Sequence, residues 1–174
     1  LIMDGFDFSL TADAMTPIDE AERVVSVGMG IAVKSEMYLI ENLAQAAGAA
    51  MGCSRPAYER LKVLPRERFV GMSGEKFTGT LYIACAISGA QQHLKGIEKA
   101  HTVVAINRNE KAPIFRHADY GIVGDIHFVQ SFQEFADVVV YGGSATQIVA
   151  DQRNRIAVVG LIRRAEQIAL PVAE

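Results

Sequence analysis

The sequence predicts an α/β protein, a parallel sheet flanked by helices of the nucleotide-binding kind, on three observations. Short β-rich runs alternate with segments of helical spacing, the pattern of a parallel sheet wrapped by helices. One run, Leu81 to Ile87, holds seven apolar or aromatic residues without a break, as a strand buried on both faces requires. Glycines and polar residues recur at the ends of these runs, and right-handed crossovers bring all those ends to one edge of the sheet.

Residues 1–20 are mixed and rich in Asp, Met and Thr, and read as a linker or lead-in. The chain begins Leu1-Ile2 with Met3 third, which reads as a missing true start. The nucleotide-binding unit is expected over 21–139. Glu22 to Gly28 is its first strand, ending in Gly28-Met29-Gly30. Lys34 to Ala47 has helical spacing, with Met37, Ile40, Leu43, Ala44 and Ala47 on one face and Gly48 suited to the C-terminal cap. Ala49 to Cys53 is a short second strand leading to Ser54-Arg55-Pro56, and Pro56 fits the first turn of a following helix. Arg68 to Gly71 is a third strand, closed by Gly71-Met72-Ser73-Gly74. Leu81 to Ile87 is the fourth, followed by a helix from Gly89 to Ile97. Thr102 to Asn107 is the fifth and Tyr120 to Asp125 a short sixth. Phe132 to Val139 reads as the opening of a further helix or strand. Gly142-Gly143-Ser144 reads as a break. Residues 140–174 read as a strand and a helix punctuated by arginines, or as a tail that docks on a partner.

Composition narrows the class. The chain has 174 residues, 50% of them hydrophobic and 21% charged, as in an ordinary globular domain with a true core. A net charge of −3 argues against a broad nucleic-acid surface. No apolar run approaches the ~20 residues that span a bilayer, so no membrane insertion is expected. Cys53 and Cys85 form no metal motif; Cys85 reads as a core residue and Cys53, at a strand end, as the more interesting of the two. Two reduced cysteines fit a cytoplasmic setting, or a mitochondrial matrix in a eukaryote.

Ligands of open α/β sheets bind at the carboxyl edge of the strands. Six spots fall there: Gly28–Gly30, Ser54-Arg55, Gly71–Gly74, Ser88–His93, Asn107 and Asp125. Ser88-Gly89 lets the backbone come close to a ligand, and Ser88 is a fair N-cap. A helix start then offers free N–H groups and partial positive charge to a phosphate. His93, one turn past Gly89, can face the same ligand, although a capping or surface histidine is the plainer reading. Gly28-Met29-Gly30 lacks the third glycine of the dinucleotide fingerprint, Val33 standing in its place, so a tight turn competes. Arg55 reads as a phosphate or ring contact or as a solvated arginine. Gly71–Gly74 reads as a hydroxyl and N–H donor or as a plain turn. Asp125 reads as a ribose or adenine contact or as a helix cap. His101, His117 and His127 lack metal-site spacing. No Ser–His–Asp set or carboxylate pair stands out. That leans toward binding or electron transfer, with a cofactor doing the chemistry.

The blocks Val27–Gly30, Cys53–Pro56, Val70–Gly74, Leu81–Ala84, Ile87–His93, Val104–Asn107, Ala112–Phe115 and Ala118–Asp125 appear in order. In these the chain resembles the carboxyl-terminal, FAD-binding domain of the electron transfer flavoprotein alpha subunit, over about residues 21–139. The resemblance implies a Rossmann-like domain of the DHS-like NAD/FAD-binding fold. It implies a heterodimer with a beta subunit, FAD as cofactor, and electrons passed from a dehydrogenase to an acceptor: a carrier rather than an enzyme in its own right. By position it puts Arg55 near the isoalloxazine ring, the Ser73 hydroxyl near flavin N5, and Ser88 at the phosphates. Gln92 and His93 fall at the ribityl chain or ring, with His93 near the C2 carbonyl. Asn107 and Asp125 hold the AMP half, and Gly28, Ser54, Gly71, Gly74 and Gly89 complete the site. Met29 stands where the family has arginine in Gly-Gly-Arg-Gly, and Met72 where it has glutamine. The family's amino-terminal domain is absent, which reads as a fragment or split form. The competing readings are an NAD enzyme on the same fold, which needs a catalytic base, and a partner module that keeps only the fold or an AMP site.

Overall fold

A computed structural model describes residues 12–31, 34–126, 139–142 and 146–149. Its frame is a sheet in which β1 (Arg23–Val27), β2 (Ala50–Cys53), β3 (Leu81–Cys85), β4 (Thr102–Asn107) and β5 (Tyr120–Val123) run parallel. The antiparallel strands β6 (Val139–Gly142) and β7 (Thr146–Val149) extend the β5 edge. The order is β2-β1-β3-β4-β5-β6-β7. This is a doubly wound α/β sheet whose order reverses between β1 and β3, the place where such sheets hold ligands.

Strand alternation divides the core in two. Val25, Val27, Leu81, Ile83, Cys85, Val104 and Ile106 face one layer, into which α1 (Met37–Ala47) lays its apolar stripe. Val24, Tyr82, Ala84, Val103 and Ala105 face the other, covered by Phe77, Leu94, Ile97 and Ile114. The expected face of α1 is buried, joined by Leu39. Gly48 ends the helix at φ 56, and the bonds Gly48 N–H to Gln45 O and Ala49 N–H to Ala44 O close a Schellman cap. Pro56 sits in the first turn of a short helical segment that continues through Ala57–Leu61. Part of the expected lead-in is packed: Ile18 is buried, and the Arg68 guanidinium donates to the carbonyls of Thr16 and Met15.

Three expected elements differ. Arg68 to Gly71 is no strand. A 3-10 turn at Arg66–Arg68 runs into single bridges, Cys53 with Phe69 and Val70 with Glu75. Only two residues lie between the buried Arg68 and the turn at Gly71, too few for a ladder. The fourth strand stops at Cys85, because Ala86 adopts φ 54 and turns the chain out of the sheet. The helix expected from Gly89 to Ile97 is one turn, α2 (Gln91–Leu94), followed by looser turns. Ser88 does not cap it. Its carbonyl is bound by the Ile114 N–H at 3.0 Å and Gly89 takes φ 86, so the helix starts only after Ala90. The region expected to open at Phe132 lies outside the described residues up to 138.

The sheet's most demanding contact is at the switch point. A Cβ on Gly28 would lie 2.1 Å from the Ala86 carbonyl oxygen. Gly28→Ala is therefore expected to cost at least about 2 kcal/mol, because backbone must move. Ala86→Gly relieves a left-handed alanine while freeing the unfolded chain, and should change stability by less than about 1 kcal/mol. Urea midpoints of the two variants check both; equal destabilisation would contradict the contact.

Candidate functional site

A groove of about 420 Å³ opens at the switch point, above the carboxyl ends of β1, β2, β3 and β4. Each strand contributes through the residues that follow it. β1 gives Met29 and Gly30, β2 gives Ser54, Arg55 and Pro56, β3 gives Ala86 to Ser88, and β4 ends in Asn107. Phe69, Val70, Ala90, Gln92 and His93 complete the wall. A second cavity, about 350 Å³, lies by the amino ends of β4 and β5 around His101, Val103 and Asp119, away from the edge where such sheets bind.

The backbone that shapes the groove is held from below. Gly28 N–H donates to Cys85 O at 2.8 Å, Gly30 N–H to Ala86 O at 3.2 Å, and Ala86 N–H to Ile106 O at 2.7 Å. Asn107 braces the same corner: its amide donates to Ile87 O at 2.9 Å, and its side-chain oxygen accepts from Asn109 N–H at 2.9 Å. Gly89 passes so close to Ile114 that a Cβ would lie 2.4 Å from the Ile114 nitrogen.

Among the described residues of the wall, His93 is the one buried titratable side chain, 6% exposed. Its Nε2 lies 3.1 Å from the Tyr82 hydroxyl, and Nδ1 has no partner at hydrogen-bonding geometry. Burial lowers its pKa to about 4, against a weak upward pull from the Val70 carbonyl. The ring is thus neutral near pH 7. Arg55 is exposed and donates through Nε to Glu59 at 2.8 Å. Arg108 reaches Gly30 O at 3.2 Å and the Asp125 carboxylate at 3.2 Å, tying the ends of β1, β4 and β5 together.

Of the residues expected at the site, Ser54, Arg55, Ser88, Gln92, His93 and Asn107 line the groove. Gly28 lies beneath it, pressed on Ala86, and Gly89 beneath Ser88, pressed on Ile114. Gly71, Ser73 and Gly74 form a turn beside it. Met72 N–H donates to Gln92 O at 2.6 Å, and a Cβ on Gly74 would lie 2.2 Å from the Phe69 carbonyl oxygen. Ser73 is exposed on that turn, and Asp125 lies past β5 with Arg108. Cys53 is fully buried and its thiol is pushed up to about 12 by burial, so it carries no nucleophile. Sequence reasoning missed Tyr82. A tyrosine inside an aliphatic run needs a buried partner for its hydroxyl, and that signal was present.

The class is therefore a doubly wound α/β domain with its groove at the switch point. Residues 17–98 match the family model described as the electron transfer flavoprotein FAD-binding domain. That segment is similar to such a domain, whose description names FAD as the bound group. Protein FixB of Escherichia coli O1:K1 / APEC is 48% identical over 108 residues, covering 62% of this chain and 34% of the relative. Protein FixB of Escherichia coli strain K12 / DH10B matches to the same extent. The chain spans about a third of the length of these curated relatives. Among the described residues no helix is long and apolar enough to cross a membrane.

The buried imidazole gives a pH dependence. The unfolded chain protonates this group near its ordinary 6.5 and the folded chain near 4. The stability it contributes is complete above 6.5 and is lost as pH falls through 4. Its share of the loss between pH 7 and 4 is expected to be about 3 kcal/mol. Denaturant midpoints across that range should slope less in His93→Gln than in the parent chain; parallel slopes would contradict a neutral buried His93.

Proposed function

We propose that this groove is the flavin-binding wall of an electron transfer flavoprotein alpha subunit. In this reading the chain works as a heterodimer with a beta subunit, between a dehydrogenase and an electron acceptor. The observation that carries it is the wall itself: apolar Met29, Phe69, Val70 and Ile87 beside Ser54, Arg55, Ser88, Gln92 and a buried, half-partnered His93. Such a wall suits a flat ring with polar edges on an anionic tail. FAD, when bound, supplies the uptake and release of electrons.

The residues divide the work by charge and position. Arg55, at the exposed end, offsets negative charge that arrives with electrons, and His93, being neutral, acts as a hydrogen-bond donor rather than a cation. Ser88 and the backbone after Ala86 would hold the phosphates, Ser73 would offer its hydroxyl to the ring, and Asn107 and Asp125 would hold the adenosine half. Asn107 takes part mainly by holding Ile87, since both ends of its amide are engaged within the chain. An NAD-dependent enzyme is disfavoured by the same wall. Among the described residues its lining holds no carboxylate or lysine, and His93 loses its proton far below neutrality, so none of them is a base poised for catalysis.

The purified chain with its beta partner should show flavin absorption bands that dithionite bleaches. A colourless complex that also refuses added FAD would overturn the reading. Arg55→Ala should weaken FAD binding about tenfold and lower the flavin's reduction potential, since a charge-assisted contact is lost. Unchanged affinity and potential in both Arg55→Ala and His93→Ala would remove these residues from the site.

A further inference from the structure

The Gly71–Gly74 turn beside the groove is shaped by one aromatic ring. Phe69 lines the groove and is otherwise buried. A Cβ on Gly71 would lie 2.9 Å from its Cε2, and a Cβ on Gly74 would lie 2.7 Å from its Cδ1. The turn thus folds directly against the Phe69 ring, with no room for a side chain at either glycine. The loop also closes on the same residue. Glu75 N–H donates to Phe69 O at 2.7 Å, and Gly71 N–H to Glu75 O at 3.2 Å. Lys76 Nζ donates to the carbonyls of Gly71 and Met72 and fastens the turn further.

The ring is held from the β2 side as well. Tyr58 stacks on Phe69, with centroids 6.3 Å apart and planes 8° from parallel. Tyr58 belongs to the helical segment that follows Arg55. Its N–H donates to Ser54 O at 3.0 Å, and Glu59, next in the chain, pairs with Arg55. Val70 N–H donates to Cys53 O at 2.9 Å, which ties the backbone beside Phe69 to the strand end that delivers Ser54 and Arg55. Tyr58 itself is partly buried and is not among the residues that line the groove. Its ring reaches the groove through Phe69.

We propose that Tyr58 is a positioning residue: by stacking on Phe69 it fixes the ring against which the Gly71–Gly74 turn folds, and so sets the place of the Ser73 hydroxyl relative to Arg55. A binding group on a loop keeps its place only as well as the packing that supports it. The turn's own bonds close it on itself, and the stack refers it to the segment that carries Arg55. The stack uses the flat ring and not the hydroxyl, so phenylalanine can replace Tyr58 and leucine cannot. The setting of the turn stands on the protein alone; its service to a flavin rests on the function proposed above.

The test uses the full chain with its beta partner. Tyr58→Leu should lower FAD affinity about fivefold, as for one lost aromatic pair, and Tyr58→Phe should keep the parent's affinity. In a Ser73→Ala background Tyr58→Leu should cost less than about twofold more, because both act through one hydroxyl. Hydrogen exchange of the Gly74 and Glu75 amides should speed about fivefold in Tyr58→Leu and stay unchanged in Tyr58→Phe. Phe69→Leu should speed the same amides and serves where Tyr58→Leu fails to fold. Unchanged exchange in the leucine variant overturns the proposal, and so does equal acceleration in Tyr58→Phe. A FAD-binding complex in which Tyr58→Leu lowers the urea midpoint but not the affinity also overturns it, as does an affinity loss that Ser73→Ala leaves undiminished. A parent complex that binds no FAD sinks the flavin reading, while amide exchange in the empty protein still decides the role of Tyr58.

Discussion

Where β1 and β3 part company, their backbones touch, and the groove takes its shape from that touch. The Ala86 carbonyl fills the space a side chain on Gly28 would need, and Gly30 donates to the same oxygen. An ordinary strand end would carry Ala86 onward along the sheet. The left-handed turn at φ 54 instead throws the chain sideways, so that Ile87 and Ser88 stand beside Met29 and Gly30 rather than above them. Left-handed geometry at alanine costs roughly 1–2 kcal/mol. It is held by the bonds on both sides of the residue, Ala86 N–H to Ile106 and Gly30 N–H to Ala86. Strain of this kind persists where surrounding structure over-determines it, and here it lies in the floor of the groove.

The sideways turn also decides which polar groups are buried. Because α2 begins only at Gln91, a single turn brings His93 back against the sheet, over Tyr82, rather than out toward solvent. The long helix expected at Gly89 is traded for a short turn that presses on the Gly71 loop: a Cβ on Gly96 would lie 2.5 Å from the Gly71 nitrogen. Met72 N–H then binds Gln92 O, so the turn that carries Ser73 is tied to the wall. A single turn of helix has little macrodipole to offer a phosphate. In the proposed flavin reading, the attraction expected from a helix N-terminus would therefore fall to Ser88, to backbone amides and to Arg55.

The fold was legible because its signals are local and repeated. An unbroken apolar run such as Leu81–Cys85 permits few other placements, and Gly48 announces its own cap. The strand-end spots were legible for the same reason, since parallel strands carry their ends to one edge. What escaped the sequence were contacts between distant backbones. Nothing in Arg68-Phe69-Val70 says that Arg68 reaches Thr16 and Met15 instead of standing out from a strand. Nothing in Ser88-Gly89 says that Ile114 occupies the Ser88 carbonyl. The direction of His93 could not be read either, because an i+4 offset from Gly89 presumes a helix that is not there. The residue that fixes it, Tyr82, hid as one more apolar letter of a buried strand.

Charge at the groove is arranged so that it can be given up cheaply. Arg55 pairs with Glu59 across one helical turn, with both side chains about half exposed. Such a surface pair is worth well under 1 kcal/mol, so a phosphate or an anionic ring edge competes for the guanidinium at little cost. Burying the cation instead would raise its field, but the desolvation penalty would then fall on the empty chain. Met29 and Met72, both exposed at the rim, add apolar surface and no charge. Among the described residues the lining holds one cation, Arg55, at the groove's exposed edge, and its interior is neutral.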